Sequence, residues 1–332
     1  MKKIFIDKVE LIIREVLSLY VDKENQKLVN YQIKTGGKRI RPTLTLISCL
    51  ACGGKINDVL YPAAGLEILH NYTLIVDDII DNSSLRRKKL TTWSKFGTSI
   101  AQCIAIDYSA AVFQTANRSK HPIEISELFA KTMKILVDGE ILDILFEQSG
   151  REDEKYVNTN RYKNIKEQDY LKMINQKTAS LFQTCCEIGG ICAKVNKGQI
   201  EALKNYGFNL GMAFQIQDDI LDIFGDEKDF GKKIGKDIQE RKLGNIVIFY
   251  ALEELSQIDK KKVLDILKKR KINNQDIEKV IKLINRTRAR EKSYLLGEKY
   301  AQKAKKSLKD LPKNKWSDML NNLAYLAIKR NN

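Results

Sequence analysis

His70-Asn-Tyr-Thr-Leu-Ile-Val-Asp77-Asp78-Ile-Ile-Asp81-Asn-Ser-Ser-Leu-Arg86-Arg87 is the stretch from which the rest of the chain can be read. It starts as an apolar, helix-compatible run and then sets three aspartates within five residues. On a helix, Asp77 and Asp81 lie one turn apart on a single face. Carboxylates that close repel, which raises a pKa unless a cation neutralises them. Oxygen ligands alone suit a hard cation such as Mg2+, which keeps waters and takes one or two carboxylates together with substrate phosphates. Arg86 and Arg87 follow directly, and a planar guanidinium is the side chain best shaped for phosphate. Carboxylates for a metal beside arginines for phosphate point to a metal-bridged polyphosphate ester.

One acidic cluster beside basic residues could be a solvated helix end. The same spacing returns, however, at Asp218-Asp219-Ile220-Leu221-Asp222, again inside an apolar run, and Asp218 and Asp222 again share a face. Two acidic ladders embedded in apolar residues read as two walls of one metal site. Around them the sequence is helical in character. Its 332 residues carry 4 Pro and 18 Gly, with little strand-like alternation, no solenoid repeat and no Gly/Ser- or Pro-rich linker. The expectation is an all-α chain, residues 1–332 forming a single-domain helical bundle around a deep central cavity.

Composition narrows the function classes. Ile6, Val9, Ile13, Val16 and Leu17 space the N-terminus as an amphipathic helix, and charged residues interrupt it before signal-peptide length. No stretch reaches the ~18 apolar residues of a transmembrane segment, so a cytoplasmic protein is expected. The formal charge of +16 comes from dispersed lysines without interleaved aromatics, which reads as a solvated surface and not a nucleic-acid interface. The 6 cysteines lie mostly in apolar helical contexts, with no second Cys pair at zinc spacing, and fit reduced, buried thiols. Gly36-Gly37-Lys38-Arg39-Ile40-Arg41-Pro42 places flexible backbone and three cations before an apolar helix, an anion clamp near a helix N-terminus. His70, seven residues before Asp77, projects about 20° from it on an ideal helix.

With these motifs, and with Gly139-Glu140, Lys177-Thr178 and Gly231-Lys232 in the same order, the chain resembles the trans-prenyl diphosphate synthases. The wording around the first acidic motif is most like archaeal short-chain farnesyl and geranylgeranyl diphosphate synthases. The resemblance implies a prenyltransferase that adds isopentenyl diphosphate to an allylic diphosphate with two or three Mg2+ ions. It implies Asp77, Asp81, Asp218 and Asp222 for the metal, with Asp78 and Asp219 in support. Lys38, Arg39, His70 and Arg87 bind the isopentenyl diphosphate by the same resemblance, with Arg86 beside them. Lys177, Lys232 and Lys242 contact the allylic diphosphate, and Thr178 and Gln215 stabilise the cation left when that diphosphate departs. Tyr72 and Thr73 would floor the pocket for the growing tail. Helix geometry favours Thr73, about 40° from Asp77, over Tyr72 at about 140°, whereas the family pattern points to Tyr72 and a short product. A homodimer is the family expectation.

The sequence departs from the family pattern in places. Lys88 and Leu90 stand where relatives have Gly and Pro, and many relatives carry Gln at Asp143. Arg241-Lys242-Leu243-Gly244-Asn245-Ile246 replaces the usual Gly-Lys-x-Thr-Leu-Pro, which opens the register at Lys242 to a shift. Two other readings share the acidic helices: a class I terpene cyclase or head-to-head synthase, and a non-catalytic subunit of a heteromeric synthase. The first has no need of a second diphosphate clamp, and the second has no need of intact acidic ladders.

Overall fold

The computed structural model describes residues 2–225 and 234–328. Its long helices run in chain order α1 (Lys2–Ser18), α2 (Ile40–Ala51), α3 (Ile56–Ile80), α4 (Thr98–Asn117) and α5 (Pro122–Leu145). They continue as α6 (Glu167–Ile174), α7 (Ser180–Cys192), α8 (Lys197–Phe224) and α9 (Ile246–Glu254). The last are α10 (Gln257–Leu267), α11 (Asn274–Ile284), α12 (Ala289–Ser307) and α13 (Lys315–Leu326). The sheet among the described residues is one antiparallel hairpin, β1 (Leu85–Arg86) and β2 (Lys89–Leu90). The chain is therefore all-α, as its sparse Gly and Pro indicate. By contacts it divides into two compact units, residues 1–133, 182–204 and 310–320, and residues 134–181, 205–309 and 321–332.

The first unit is organised on α3, which packs against α1, α2 and α4. Leu60, Ala63, Ala64, Leu66, Ile68, Leu69 and Ile75 are all buried, so α3 is apolar around its girth and belongs inside the unit. Gly65 is what lets its neighbours approach: a Cβ there would collide with Thr115 Oγ1 of α4 and come within 2.8 Å of Phe129 Cζ. The amphipathic N-terminal helix is found as read, with Val9, Ile13, Val16 and Leu17 buried and Ile6 half-buried.

In the second unit, α9 packs against α12, and α10 against α11. Its core runs through Phe146, Tyr170, Ile216, Ile220, Ile246 and Val247. Between α6 and α7 the chain makes a π-helical turn over Asn175–Ala179. Such turns insert a residue into a helical repeat and recur at functional sites. Gly139 of α5 lies against this turn, where a Cβ would sit 2.5 Å from the Lys177 backbone nitrogen. Among the described residues no helix is long and apolar enough to cross a membrane, and the cysteines are free thiols.

Candidate active site

The first acidic ladder closes α3. Asp77 lies in its last turn, and Asp81 caps it, with the Asp81 N–H donating to the Asp77 carbonyl at 2.8 Å. This is the negative end of the helix dipole, so aspartates there oppose the dipole as well as one another. The middle residue is neutralised within the protein: Asp78 is buried, and its Oδ1 accepts from Arg86 Nε and Nη2, both at 2.8 Å. Asp77 and Asp81 remain half-buried.

The cationic clamp is built from Gly36–Arg41 and the hairpin. Arg39 is buried, and its Nε donates to Glu10 Oε1 at 2.8 Å. Its Nη1 reaches Glu67 Oε1 at 3.0 Å and the Gly36 carbonyl at 2.9 Å, and its Nη2 the Ile33 carbonyl at 3.0 Å. Arg87 Nη1 donates to the same Gly36 carbonyl. Gly37 holds φ 142°, a backbone conformation that strains any residue with a side chain, and the guanidinium groups of Arg39 and Arg87 pack where a Cβ would stand. Lys38 is exposed, and Arg41 is half-buried with its guanidinium 5.4 Å from the Phe182 ring centroid.

The hairpin that carries Arg87 pairs Leu85 with Leu90 and Arg86 with Lys89. Its two-residue turn holds Arg87 at φ 54° and Lys88 at φ 62°. A turn with both central residues left-handed favours Asn-Gly, which gives a physical reason for a glycine at position 88. Tyr31 OH donates to the Leu90 carbonyl at 2.8 Å and Lys89 Nζ to the Lys34 carbonyl at 2.9 Å, tying the hairpin to the clamp segment. His70 is half-buried, and burial, then the charges of Arg41, Arg87, Arg86 and Arg39, hold its imidazole well below the usual pKa. A neutral histidine ringed by guanidinium groups is a field that favours an anion. Tyr72 and Thr73 are both half-buried, and Thr73 Oγ1 donates to the His70 carbonyl at 2.9 Å.

The second acidic ladder ends α8. Its middle residue, Asp219, is buried and held by hydrogen bonds in place of a cation. Oδ1 accepts from Gln215 Nε2 at 2.9 Å, and Oδ2 from Tyr170 OH at 2.8 Å and the Ile246 N–H at 3.0 Å. Gln215 Oε1 accepts from Thr178 Oγ1 at 2.8 Å. Asp222 accepts the Lys236 and Asp237 backbone N–H groups at 3.0 and 3.1 Å. Burial, then the Asp237 charge, push Asp222 up to about 8 and Asp219 well above the carboxylate range. Asp218 is half-buried.

The lysines gather on one carboxylate. Asp143 Oδ2 lies 2.5 Å from Lys177 Nζ and 2.9 Å from Lys242 Nζ. Glu140 joins Lys177 at 2.7 Å and Glu240 joins Lys242 at 3.2 Å. Burial disfavours the Asp143 charge, but Lys177 and then Lys242 hold its carboxyl well below the usual range. The departure after Lys242 leaves that lysine in register with the network. Asn245 caps α9, its Oδ1 accepting from the Val247 and Ile248 N–H groups at 2.9 and 3.3 Å, while its Nδ2 donates to Asp237 Oδ2 at 2.8 Å. Lys232 lies outside the described residues.

The sequence model of the family described as "Polyprenyl synthetase" matches residues 22–284. The chain belongs to the polyprenyl synthetase family. Among similar proteins is a short chain isoprenyl diphosphate synthase of Methanocaldococcus jannaschii, 36% identical over 82% of this chain and 80% of that one. A geranylgeranyl diphosphate synthase of Saccharolobus solfataricus is 35% identical over 88% of this chain and 85% of its own length. Among solved structures, a polyprenyl synthase from Caulobacter crescentus, complexed with calcium and isoprenyl diphosphate, aligns with a TM-score of 0.87. It is 28% identical and covers 99% of this chain and 95% of its own.

In this polyprenyl synthetase the donor chemistry fits a hard divalent cation. Asp77 and Asp81 in the first unit offer half-buried carboxylates, as do Asp218 and Asp222 in the second, where burial and then the Asp237 charge raise Asp222. Among the described residues no three His, Cys, Asp or Glu side chains form a ready protein cage, the usual situation for Mg2+ held by one or two carboxylates plus substrate oxygens. Sequence reasoning missed Tyr170, Asp237 and Asn245. Asn245 was detectable as a capping residue before the apolar run from Ile246. Tyr170 carries no sequence signal of its own.

Proposed function

We propose that this polyprenyl synthetase joins isopentenyl diphosphate head-to-tail to an allylic diphosphate, giving a short trans-prenyl diphosphate. The observation that carries the reading is a separate cationic set for each of two diphosphates. One gathers around His70, with Arg41, Arg87, Arg86 and Arg39, and the other is Lys177 with Lys242. A cyclase, with one diphosphate to hold, has no use for both. The names of the relatives from Methanocaldococcus and Saccharolobus support the same substrate class.

In this proposal Asp77, Asp81 and Asp218, with Asp222, hold two or three Mg2+ ions against the allylic diphosphate, and the bound metal supplies charge stabilisation for its departure. Lys38, His70, Arg41 and Arg87 hold the isopentenyl diphosphate. Arg39, whose guanidinium is engaged by Glu10, Glu67 and two carbonyls, acts by fixing the clamp. Arg86 fixes Asp78 in the same way. Lys177 and Lys242 exchange contacts with Asp143 for contacts with the allylic diphosphate, and Lys232 adds to them. Thr178 and Gln215 present oxygens to the developing allylic cation. The departed diphosphate takes the proton that restores the double bond.

Tyr72, with Thr73, limits the tail to about fifteen to twenty carbons, since each buried CH2 gains about 0.8 kcal/mol until the pocket ends. The whole chain acts as one prenyl synthase domain, cytoplasmic and homodimeric, binding no nucleic acid and with no membrane-spanning helix among the described residues. Product analysis tests the reading: purified protein, Mg2+, labelled isopentenyl diphosphate and primers of five, ten and fifteen carbons, with the dephosphorylated chains resolved. Products ending at fifteen or twenty carbons support the enzyme and its pocket floor together. Thirty carbons or more overturn the floor, and no elongation by folded protein overturns the synthase reading.

A further inference from the structure

Asp219 is the middle residue of an acidic ladder, yet both of its oxygens are engaged by the protein. Tyr170 OH and the Ile246 N–H converge on Oδ2, and Gln215 Nε2 takes Oδ1. Tyr170 is fully buried in α6, and burial, followed by the Asp219 charge, keeps its phenol protonated and therefore a donor. A buried phenol hydroxyl placed 2.8 Å from a buried carboxylate is a directional contact in a dry setting, where hydrogen bonds are strong and errors expensive.

The direction of each bond in this chain follows from the one before it. Asp219, receiving Tyr170 and the Ile246 amide on one oxygen, offers its other oxygen as an acceptor. The Gln215 amide points its NH2 group toward Asp219 and its carbonyl oxygen toward Thr178 in the π-helical turn. Thr178 donates its single hydroxyl proton to that carbonyl at 2.8 Å. With its proton so used, Thr178 Oγ1 has only lone pairs to turn toward anything else. An oxygen restricted to its lone pairs is the dipole that stabilises an adjacent carbocation, and the restriction exists before the charge develops.

We propose that Tyr170 is a positioning residue for the ionisation step, setting through Asp219 and Gln215 the orientation in which Thr178 faces the allylic cation. The inference rests on the prenyltransferase reading and extends it to a residue remote from substrate. Tyr170 touches neither diphosphate in this scheme. Its removal leaves binding intact and raises the barrier to forming the cation.

The test is a double-mutant cycle of Tyr170→Phe and Thr178→Val, measured with an allylic diphosphate and with its fluorinated analogue, in which the cation is harder to form. Tyr170→Phe is expected to lower kcat about tenfold while both KM values stay within about twofold, a loss confined to the transition state. Its loss should be larger with the fluorinated primer. In the Thr178→Val background the Tyr170 substitution should have almost no further effect, because the relay is already cut. Additive losses, or a drop in thermal stability with kcat and the fluorine effect unchanged, would assign Tyr170 to packing and overturn the proposal. Wild-type protein run alongside separates the two levels: if it elongates no primer the synthase reading falls, whereas elongation with an additive cycle removes only the role of Tyr170.

Discussion

The two acidic ladders share a spacing and differ in how each disposes of its middle aspartate. Asp78 is neutralised by a cation, Arg86, carried on the hairpin. Asp219 is surrounded by neutral donors, a phenol, an amide and a backbone N–H. The guanidinium offsets the charge of Asp78, and Asp77 and Asp81 stay as two half-buried carboxylates. Burial, then the Asp237 charge, push Asp222 of the second ladder up to about 8. Identical sequence spacing thus produces one middle aspartate paired with a cation and one held by neutral donors.

Removing an outer aspartate should have the largest effect. Asp77→Ala and Asp218→Ala are each expected to lower kcat by on the order of a thousandfold, as loss of metal-assisted charge stabilisation implies. Steady-state rates across a Mg2+ titration check this. Equal losses would show that the two ladders matter alike to the reaction.

Arg86→Ala comes next, because it takes the guanidinium away from a buried carboxylate, Asp78. A loss of about 3 kcal/mol in urea-denaturation stability is expected. Tyr170→Phe should lose only about 1 kcal/mol, since Asp219 keeps two donors. Near-equal losses would erase the distinction between a cation-balanced and a hydrogen-bonded aspartate.

The metal-free protein should show the raised Asp222 in its pH dependence. Asp222 has a folded-state pKa raised to about 8 by burial and then Asp237, so between about pH 4 and that value the folded state binds the extra proton. Stability therefore falls as pH rises through this window. Asp222→Asn should flatten the slope, and Mg2+ should reduce it in the parent protein. His70 gives the opposite sign on the other side of the comparison. Burial, then Arg41, lower its pKa, so its contribution is present above about pH 6.5 and is lost as the unfolded chain protonates below it. Thermal melts in EDTA across pH 4 to 9 distinguish the two.

The smallest effect concerns the hairpin that carries the balancing arginine. Lys88→Gly removes a side chain from a left-handed position and should stabilise by about 0.5 kcal/mol, the steric relief being partly offset by unfolded-chain entropy. A melting temperature that falls instead would mean that the turn is held by the Lys88 side chain.

The helical fold was legible because its signals are local. Val9, Ile13 and Val16 repeat at helical spacing, and the apolar girth of α3 is visible residue by residue. The acidic ladders and the clamp were legible for the same reason: each is contiguous in sequence. What escaped notice is assembled across chain separation. Tyr170 meets Asp219 across forty-nine residues, and Lys242 meets Asp143 across ninety-nine. Nothing local to either tyrosine or lysine encodes its partner. Arg39 shows the complementary difficulty, since a cation in an anion clamp reads as a ligand until Glu10 and Glu67 are seen to hold it. The departure after Lys242 was visible, but its resolution by a cap at Asn245 depends on where α9 begins.

The π-helical turn over Asn175–Ala179 makes this half of the molecule sensitive to the length of its chain as well as to its chemistry. Deleting any one residue there would remove the inserted residue, let α6 run into α7 as a regular helix, and re-aim the side chains of the turn itself. Lys177 and Thr178 would keep their identities and lose their directions. A lineage carrying this turn can exchange side chains within it gradually, but it cannot gain or lose a residue by small steps.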